Sequence, residues 1–513
     1  MAQPHIGIQP GSDALKASET GQPEHFDVLI VGAGLSGIGG ACDLQRQRPS
    51  KSFAILESRN AIGGTWDLFR YPGIRSDSDM HTMGYRFRPW AGEKAIADGP
   101  DILQYIRDTA KQFDIERHIK FGRRVRRASW DTATARWTLD VEIGPERQPV
   151  RYSCNFLYMC SGYYDYAAGY LPSWPGADRF AGRVVHPQQW PADLDYAGRR
   201  VVVIGSGATA VTLVPAMAEK AAHVTMLQRS PSYVAARPAK DAIANWMGQR
   251  LPSNIAHGLT RWKNVLYGMY IYRLSKRKPE MMKATLINLV RTQLGPDYDV
   301  EKHFTPRYNP WDQRLCLVPD ADLFAAIRSG KASVVTDEIE AFTENGLLLR
   351  SGETLDADII VTATGLQVKM MGGMEIAVDG APVDLSKRLA YKGMMYSDIP
   401  NLASAFGYAN ASWTLKCELT SNYLCRLLNY MDARSYAWCA PRQRDPSMAE
   451  QPTLPLTSGY VERARHLMPK QGSKRPWKLY QNYLMDMTLM RFGSVNDGVM
   501  EFGRAQSQRR RAA

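Results

Sequence analysis

Phe26-Asp27-Val28-Leu29-Ile30-Val31-Gly32-Ala33-Gly34-Leu35-Ser36-Gly37 is the stretch that decides the fold. An apolar strand-like run enters a G-x-G-x-x-G turn, helical spacing follows to about Gln47, and a second strand, Ser52–Leu56, ends at Glu57. In a unit of this order Gly32 permits the tight turn and Gly34 lets backbone approach a pyrophosphate, while Gly37 lets helix and strand pack closely. The helix start around Ser36 offers oriented N–H donors to phosphate. Glu57, twenty-five residues after Gly32, is placed to accept hydrogen bonds from a ribose diol. That acid suits FAD or NAD and would repel the 2′-phosphate of NADPH.

A second such unit lies further on. Strand Arg200–Ile204 enters Gly205-Ser206-Gly207-Ala208-Thr209-Ala210-Val211, a G-x-G-x-x-A turn, and strand His223–Leu227 ends at Gln228-Arg229-Ser230. Where a free ribose would need an acid, Arg229 offers a planar cation suited to a phosphate. NADPH is therefore the expected reductant. The fold class predicted is α/β, with two Rossmann-like dinucleotide-binding domains, the first for FAD or NAD and the second for NADP. A helical insertion is expected within the second and packed on it, because 235–300 lacks strand-like alternation.

Composition narrows the function classes. The chain has 513 residues, 44% hydrophobic and 22% charged, so several globular domains are expected rather than one core. Net charge is +13, but no nucleic-acid motif accompanies it, and cofactor attraction plus affinity for a membrane surface are the readings left. The seven cysteines are odd in number and include no C-x-x-C pair, which argues against a disulfide framework and a zinc site. No metal is expected. Residues 1–24 lack a basic start and an apolar run and are read as a disordered tail. No apolar run reaches the ~18 residues of a membrane span. The expectation is a cytoplasmic protein, with peripheral membrane attachment as a variant.

Gly63-Gly64-Thr65-Trp66-Asp67-Leu68 and Arg70-Tyr71-Pro72-Gly73-Ile74-Arg75-Ser76-Asp77 follow the first unit. Disulfide reductases with two dinucleotide domains carry a cysteine where Trp66 stands, so dithiol chemistry is disfavoured. Between the two units lies Phe180-Ala181-Gly182-Arg183-Val184-Val185-His186-Pro187-Gln188-Gln189-Trp190-Pro191. Read from residue types alone it is a Pro- and Gly-punctuated linker, with His186 and Trp190 as packing residues.

Its full pattern, F-x-G-x-x-x-H-x-x-x-W-P, resembles the fingerprint of type I Baeyer–Villiger monooxygenases, through Phe180, Gly182, His186, Trp190 and Pro191. The G-G-T-W…R-Y-P-G…D run resembles a second signature of that family. The resemblance implies that NADPH reduces FAD and that O₂ is carried as a C4a-peroxyflavin. Ketones would become esters or lactones, with sulfur oxidation as a side activity. It places Thr65, Trp66, Asp67, Leu68, Arg75, Ser76 and Asp77 along the flavin and Val125 at its adenine. Arg314 becomes the catalytic arginine with Asp77 beside it, and His186 and Trp190 couple domain movement to cofactor exchange. Gln313 stands where some relatives carry a phosphate-binding lysine, a departure that weakens the case for strict NADPH selectivity.

The expected division is 25–165 and 363–505 for the FAD part, 166–235 and 306–362 for the NADP part, 236–305 for the insertion, and 506–513 for a basic tail. An N- or S-hydroxylating flavin monooxygenase is the alternative. A plain NADPH reductase would need redox cysteines or a partner surface.

Overall fold

The computed structural model describes residues 23–505. The expected tails at 1–24 and 506–513 lie outside the described residues, save that Glu24 already opens the first strand.

Two sheets carry the molecule. In the nine-stranded sheet, Glu24–Val31 runs parallel between Phe53–Leu56 and Gln148–Met159, with Val31 opposite both Leu56 and Met159. All four residues of Phe53–Leu56 are buried, as a strand covered on both faces should be. Arg123–Asp131, Arg136–Ile143 and Gln148–Met159 form an antiparallel meander on one side. The short strand Ile119–Lys120 is parted from Arg123–Asp131 at Phe121-Gly122, where Gly122 turns the chain at a φ of +64°. Leu402–Ser404 returns late in the chain to pair with Gln148–Met159.

The second sheet is parallel throughout, in the order Ala332–Thr336, His223–Gln228, Arg200–Ile204, Ile359–Thr362, Arg183–Val185. Its order reverses beside Arg200–Ile204, and in open α/β sheets ligands bind outside the strand ends at such a point. Arg183–Val185 belongs to the stretch whose residue types alone read as a linker. It is an edge strand instead, held by its ladder to Ile359–Val361.

The insertion departs from expectation. Pro279–Leu294 does pack on the second sheet's side, burying Val290 in that core. Ser253–Arg277 bridges the two sides: Ile271 and Leu274 pack with Tyr233 and Met282 on the second, while Val265 packs with Tyr408 and Leu415 on the first. A buried ion pair fixes the contact with the first. Arg261 donates to Glu418 Oε2 at 2.6 Å and to the carbonyls of His81 (3.2 Å) and Gly84 (2.8 Å), and Glu418 Oε1 accepts from Arg86 N at 2.5 Å. Glu418 sits on the helix Trp413–Asp432, so charge complementarity over long sequence separation, invisible to local patterning, chose the partner. Glu418→Ala would leave the guanidinium buried without its carboxylate, which costs about 3–5 kcal/mol. A clear fall in the thermal midpoint of the cofactor-loaded protein is expected; an unchanged midpoint would deny this pair its anchoring role.

Candidate active site

The first glycine turn is built to be open on one side only. Gly32 has a φ of +106°, and a methyl there would lie 2.6 Å from the Cys160 carbonyl oxygen; at Gly37 it would lie 1.9 Å from the Gly32 oxygen. At Gly34 the nearest protein atom to such a methyl is Gly64 Cα, at 3.6 Å. Space is therefore kept between Gly34 and the Gly63-Gly64 pair. The helix Leu35–Gln47 starts at Gly34 with no side-chain cap, leaving its first N–H groups available to a phosphate. These features fit the pyrophosphate of a dinucleotide.

Glu57 is buried and accepts from Ala33 N at 2.7 Å and from Arg59 N at 2.8 Å. Burial pushes its carboxyl above the usual range, against these donors. The acid thus braces the glycine turn itself, a role the spacing did not reveal. Ser36 donates to the Cys417 thiol at 3.3 Å, and the Thr65 hydroxyl pairs with that of Tyr164. Asp67 is 1% exposed and gripped by Arg59 (2.6 Å), Arg107 (3.1 Å) and Arg70 (3.4 Å), so its carboxylate fixes the turn after Gly64. Trp66 and Leu68 are half-buried beside it. Val125 is buried in a core cluster with Val141 and Leu157.

The second turn repeats the plan. Gly205 takes a φ of +142°, and a methyl there would stand 2.4 Å from the Ala363 oxygen, while nothing lies within 4 Å of one at Gly207. Helix Ala208–Ala218 begins at Gly207 uncapped. Ala208 is exposed there, and Thr209 is half-buried. Ala210 and Val211 are fully buried in the sheet-facing core, so they pack the helix and face no open space. Ser206 donates to the Ser230 carbonyl at 3.0 Å and pairs with Ser232 at 2.9 Å, fastening the loop that follows Arg229. Arg229 itself is exposed and makes no ion pair or side-chain hydrogen bond among the described residues.

The segment 70–77 joins the two sheets. Tyr71 packs on the second core, and Arg75 pairs with Asp322 at the start of helix Asp322–Arg328. Ser76 is locked to Ala97, accepting from its N at 3.1 Å. The Arg75 side chain is thus an inter-sheet tie and that of Ser76 a local one. Asp77 then accepts from Arg314 at 2.8 Å, across 237 positions of sequence. About a third of the Arg314 side chain is exposed, yet its Nε is buried and has no partner among the described residues. Burial works against its charge, but Tyr163, Asp77 and Tyr460 outweigh it and hold its pKa above the ordinary arginine value. Tyr163 stacks on Trp413 at 5.1 Å. The two tyrosines carry no local motif, and only the folded chain brings them here.

The stretch 180–191 clasps the connection between the sheets. Phe180 packs edge-on against Phe342, and Gly182 leaves no room for a methyl, which would meet the Asp358 oxygen at 2.4 Å. Gln188 Nε2 donates to the Asp165 carbonyl at 2.7 Å and Gln189 Nε2 to that of Ala167 at 2.6 Å. His186 Nδ1 accepts from Gln188 N at 3.2 Å; its ring lies against Gly169, and its Nε2 is buried without a partner. Burial lowers its pKa, favouring the neutral ring. Trp190 is half-buried on the second core.

All seven cysteines are free and buried, and burial pushes up their thiols, Cys42 to about 12. No cluster of three or more metal-ligating side chains occurs among the described residues.

Two uncapped dinucleotide helices on separate sheets, with an arginine–carboxylate pair held between them, define a two-dinucleotide oxidoreductase. A family model for flavin-binding monooxygenase-like proteins matches residues 95–375, and one for NAD(P)-binding Rossmann-like domains matches 30–90. The FAD-containing monooxygenase EthA of Mycobacterium tuberculosis is 52% identical over 482 residues, covering 94% of this chain and 98% of EthA. A steroid monooxygenase structure bound to NADP has a TM-score of 0.72 at 22% identity, covering 94% of this chain and all of that one. An open structure of cyclohexanone monooxygenase has 0.71 at 18%, covering 93% and 99%. The chain belongs to the flavin-binding monooxygenase-like family. It is a flavoprotein monooxygenase with the expected two-dinucleotide fold.

Because a methyl at Gly34 meets no protein atom closer than 3.6 Å, Gly34→Ala should fold with a normal thermal midpoint but purify with little or no flavin. Full flavin occupancy would move the site away from this turn. Arg229→Ala should raise the Michaelis constant for NADPH about ten- to hundredfold, the scale of one charge-assisted phosphate contact, and leave that for NADH nearly unchanged. Equal losses with both coenzymes would remove the 2′-phosphate from Arg229.

Proposed function

We propose that this chain is a Baeyer–Villiger monooxygenase, inserting one oxygen atom of O₂ beside a ketone carbonyl at the expense of NADPH. The carrying observation is the Arg314–Asp77 pair, 2.8 Å long, which joins the segment after the first glycine turn to a loop of the second unit and leaves about a third of the arginine side chain exposed. The fold shared with cyclohexanone and steroid monooxygenases supports the same reading.

FAD would lie with its pyrophosphate at Gly32–Gly37 and NADPH with its phosphates at Gly205–Ala210 and Arg229. Bound there, reduced flavin supplies the activation of O₂, and the protein supplies position, charge and exclusion of water. Arginine cannot act as a base, since its pKa lies above ~12. Its use is as a fixed cation. When a carbonyl carbon becomes tetrahedral its oxygen gains negative charge, and a donor already aimed there stabilises that charge without reorganising. The exposed part of the Arg314 guanidinium would be such a donor. Asp77 would hold the guanidinium in place through its Nη1, and Tyr163 and Tyr460 act with Asp77 to keep its charge favoured. His186 and Gln188, through their grip on the 165–169 connection, would adjust the relative placement of the two nucleotide sites.

Arg314→Ala should still bind FAD and consume NADPH, with O₂ ending as hydrogen peroxide. Ester formation from a simple ketone should fall about 10²- to 10³-fold, the scale for losing one oxyanion donor. Lysine at this position keeps charge without the planar fork and should rescue only in part. Ester formed at a near wild-type rate by Arg314→Ala would refute the role. Loss of NADPH oxidation would instead make Arg314 a coenzyme-binding residue.

A further inference from the structure

The helix Ser253–Arg277 is apolar on its outer face as well as in part of its inner one. Its inward face buries Ala256 and Val265 together with His257, Thr260 and Arg261, whereas Ile255, Leu259, Trp262, Leu266 and Tyr270 point outward, each 40–62% exposed. Spacings of four, three, four and four residues place these five on one stripe, and Arg273 and Arg277 continue it. The preceding helix, Ala242–Arg250, adds Ile243 and Trp246, which are 57% and 54% exposed. A contiguous apolar face of this kind is uncommon on a monomeric soluble protein and marks a binding surface.

Its charge identifies the occupant. From Ala242 to Pro279 there are seven lysines and arginines and no acidic residue. Arg261, Lys263 and Lys276 are spent on Glu418, Asp241 and Asp312. Arg250, Arg273, Arg277 and Lys278 have no acidic partner among the described residues and remain exposed around the apolar stripe. Aromatic and aliphatic side chains flanked by unpaired cations suit the interface of an anionic bilayer, where the apolar groups enter the acyl boundary and the cations meet lipid phosphates. Among the described residues no helix is long and apolar enough to cross a membrane, and the contact inferred is one of lying on the surface.

We infer that helices 242–250 and 253–277 dock the protein on an anionic phospholipid surface through this face. The contact does not depend on the oxygenation chemistry, although the helix adjoins the Arg314 loop: Tyr272 packs edge-on against Trp311 at 5.6 Å, and Lys276 pairs with Asp312.

The FAD-loaded full chain would be sedimented with vesicles of phosphatidylcholine alone or enriched in phosphatidylglycerol, at low and high salt. Binding should be at least about tenfold stronger to the anionic vesicles and weaken with salt. Leu259→Ser with Leu266→Ser should lower it about tenfold or more, since these leucines supply the buried apolar area. Arg273→Gln with Arg277→Gln should lower it and flatten the salt dependence. Flavin content and NADPH oxidation in solution should stay unchanged in both. Absence of vesicle binding, or variants that bind as well as wild type, would overturn the inference. So would a vesicle-free oligomer dissolved by the leucine substitutions, since the face would then be an interface between copies.

Discussion

A methyl group at residue 73 would lie 2.6 Å from Ala216 Cβ and 3.0 Å from the Thr212 carbonyl oxygen, so the segment carrying Asp77 can rest on helix Ala208–Ala218 only with glycine there. That contact sets how closely the two nucleotide-binding sheets approach. Tyr71 and Arg75 on either side of Gly73 extend the same seam, and Asp77 reaches Arg314 from its end. The acid and the arginine belong to loops 237 positions apart, and neither is positioned by its own secondary structure. Their meeting is a consequence of one close backbone approach.

The two glycine turns were legible because their requirements are local. Gly32 and Gly205 must take positive φ, Gly37 must admit a carbonyl at van der Waals distance, and those demands leave a fixed spacing in the sequence. The arginine–acid pair was legible through motif resemblance alone. What stayed hidden depends on contacts with no sequence period. Glu57 sits where a ribose-binding acid belongs, and its hydrogen bonds from Ala33 and Arg59 also brace the turn. Asp67 and Arg75 lie within a cofactor motif and in addition form a buried arginine hub and an inter-sheet tie. The helix Ser253–Arg277 buries Arg261 on its inner face, and nothing in its local pattern points to Glu418 as the partner.

The ties across the seam are of two kinds. Arg75–Asp322 is largely buried, whereas Arg314–Asp77 is partly exposed to water, a setting in which such a pair contributes about 0–1 kcal/mol. Within each sheet whole strands are sealed from solvent, as at Phe53–Leu56 and Ile359–Thr362. The cores hold each nucleotide-binding unit together, and the polar seam chiefly fixes where the Asp77 carboxylate stands.

His186 belongs to the stretch that grips this seam from the second sheet's side. Its Nδ1 accepts from the backbone of Gln188 and its ring is pressed on Gly169, so any movement of the 165–169 connection must carry this ring with it. Gln188 and Gln189 hold the same connection through the carbonyls of Asp165 and Ala167. Three neighbouring side chains thus act on one sheet-to-sheet connection, which ties its position to that of the edge strand Arg183–Val185 just before them.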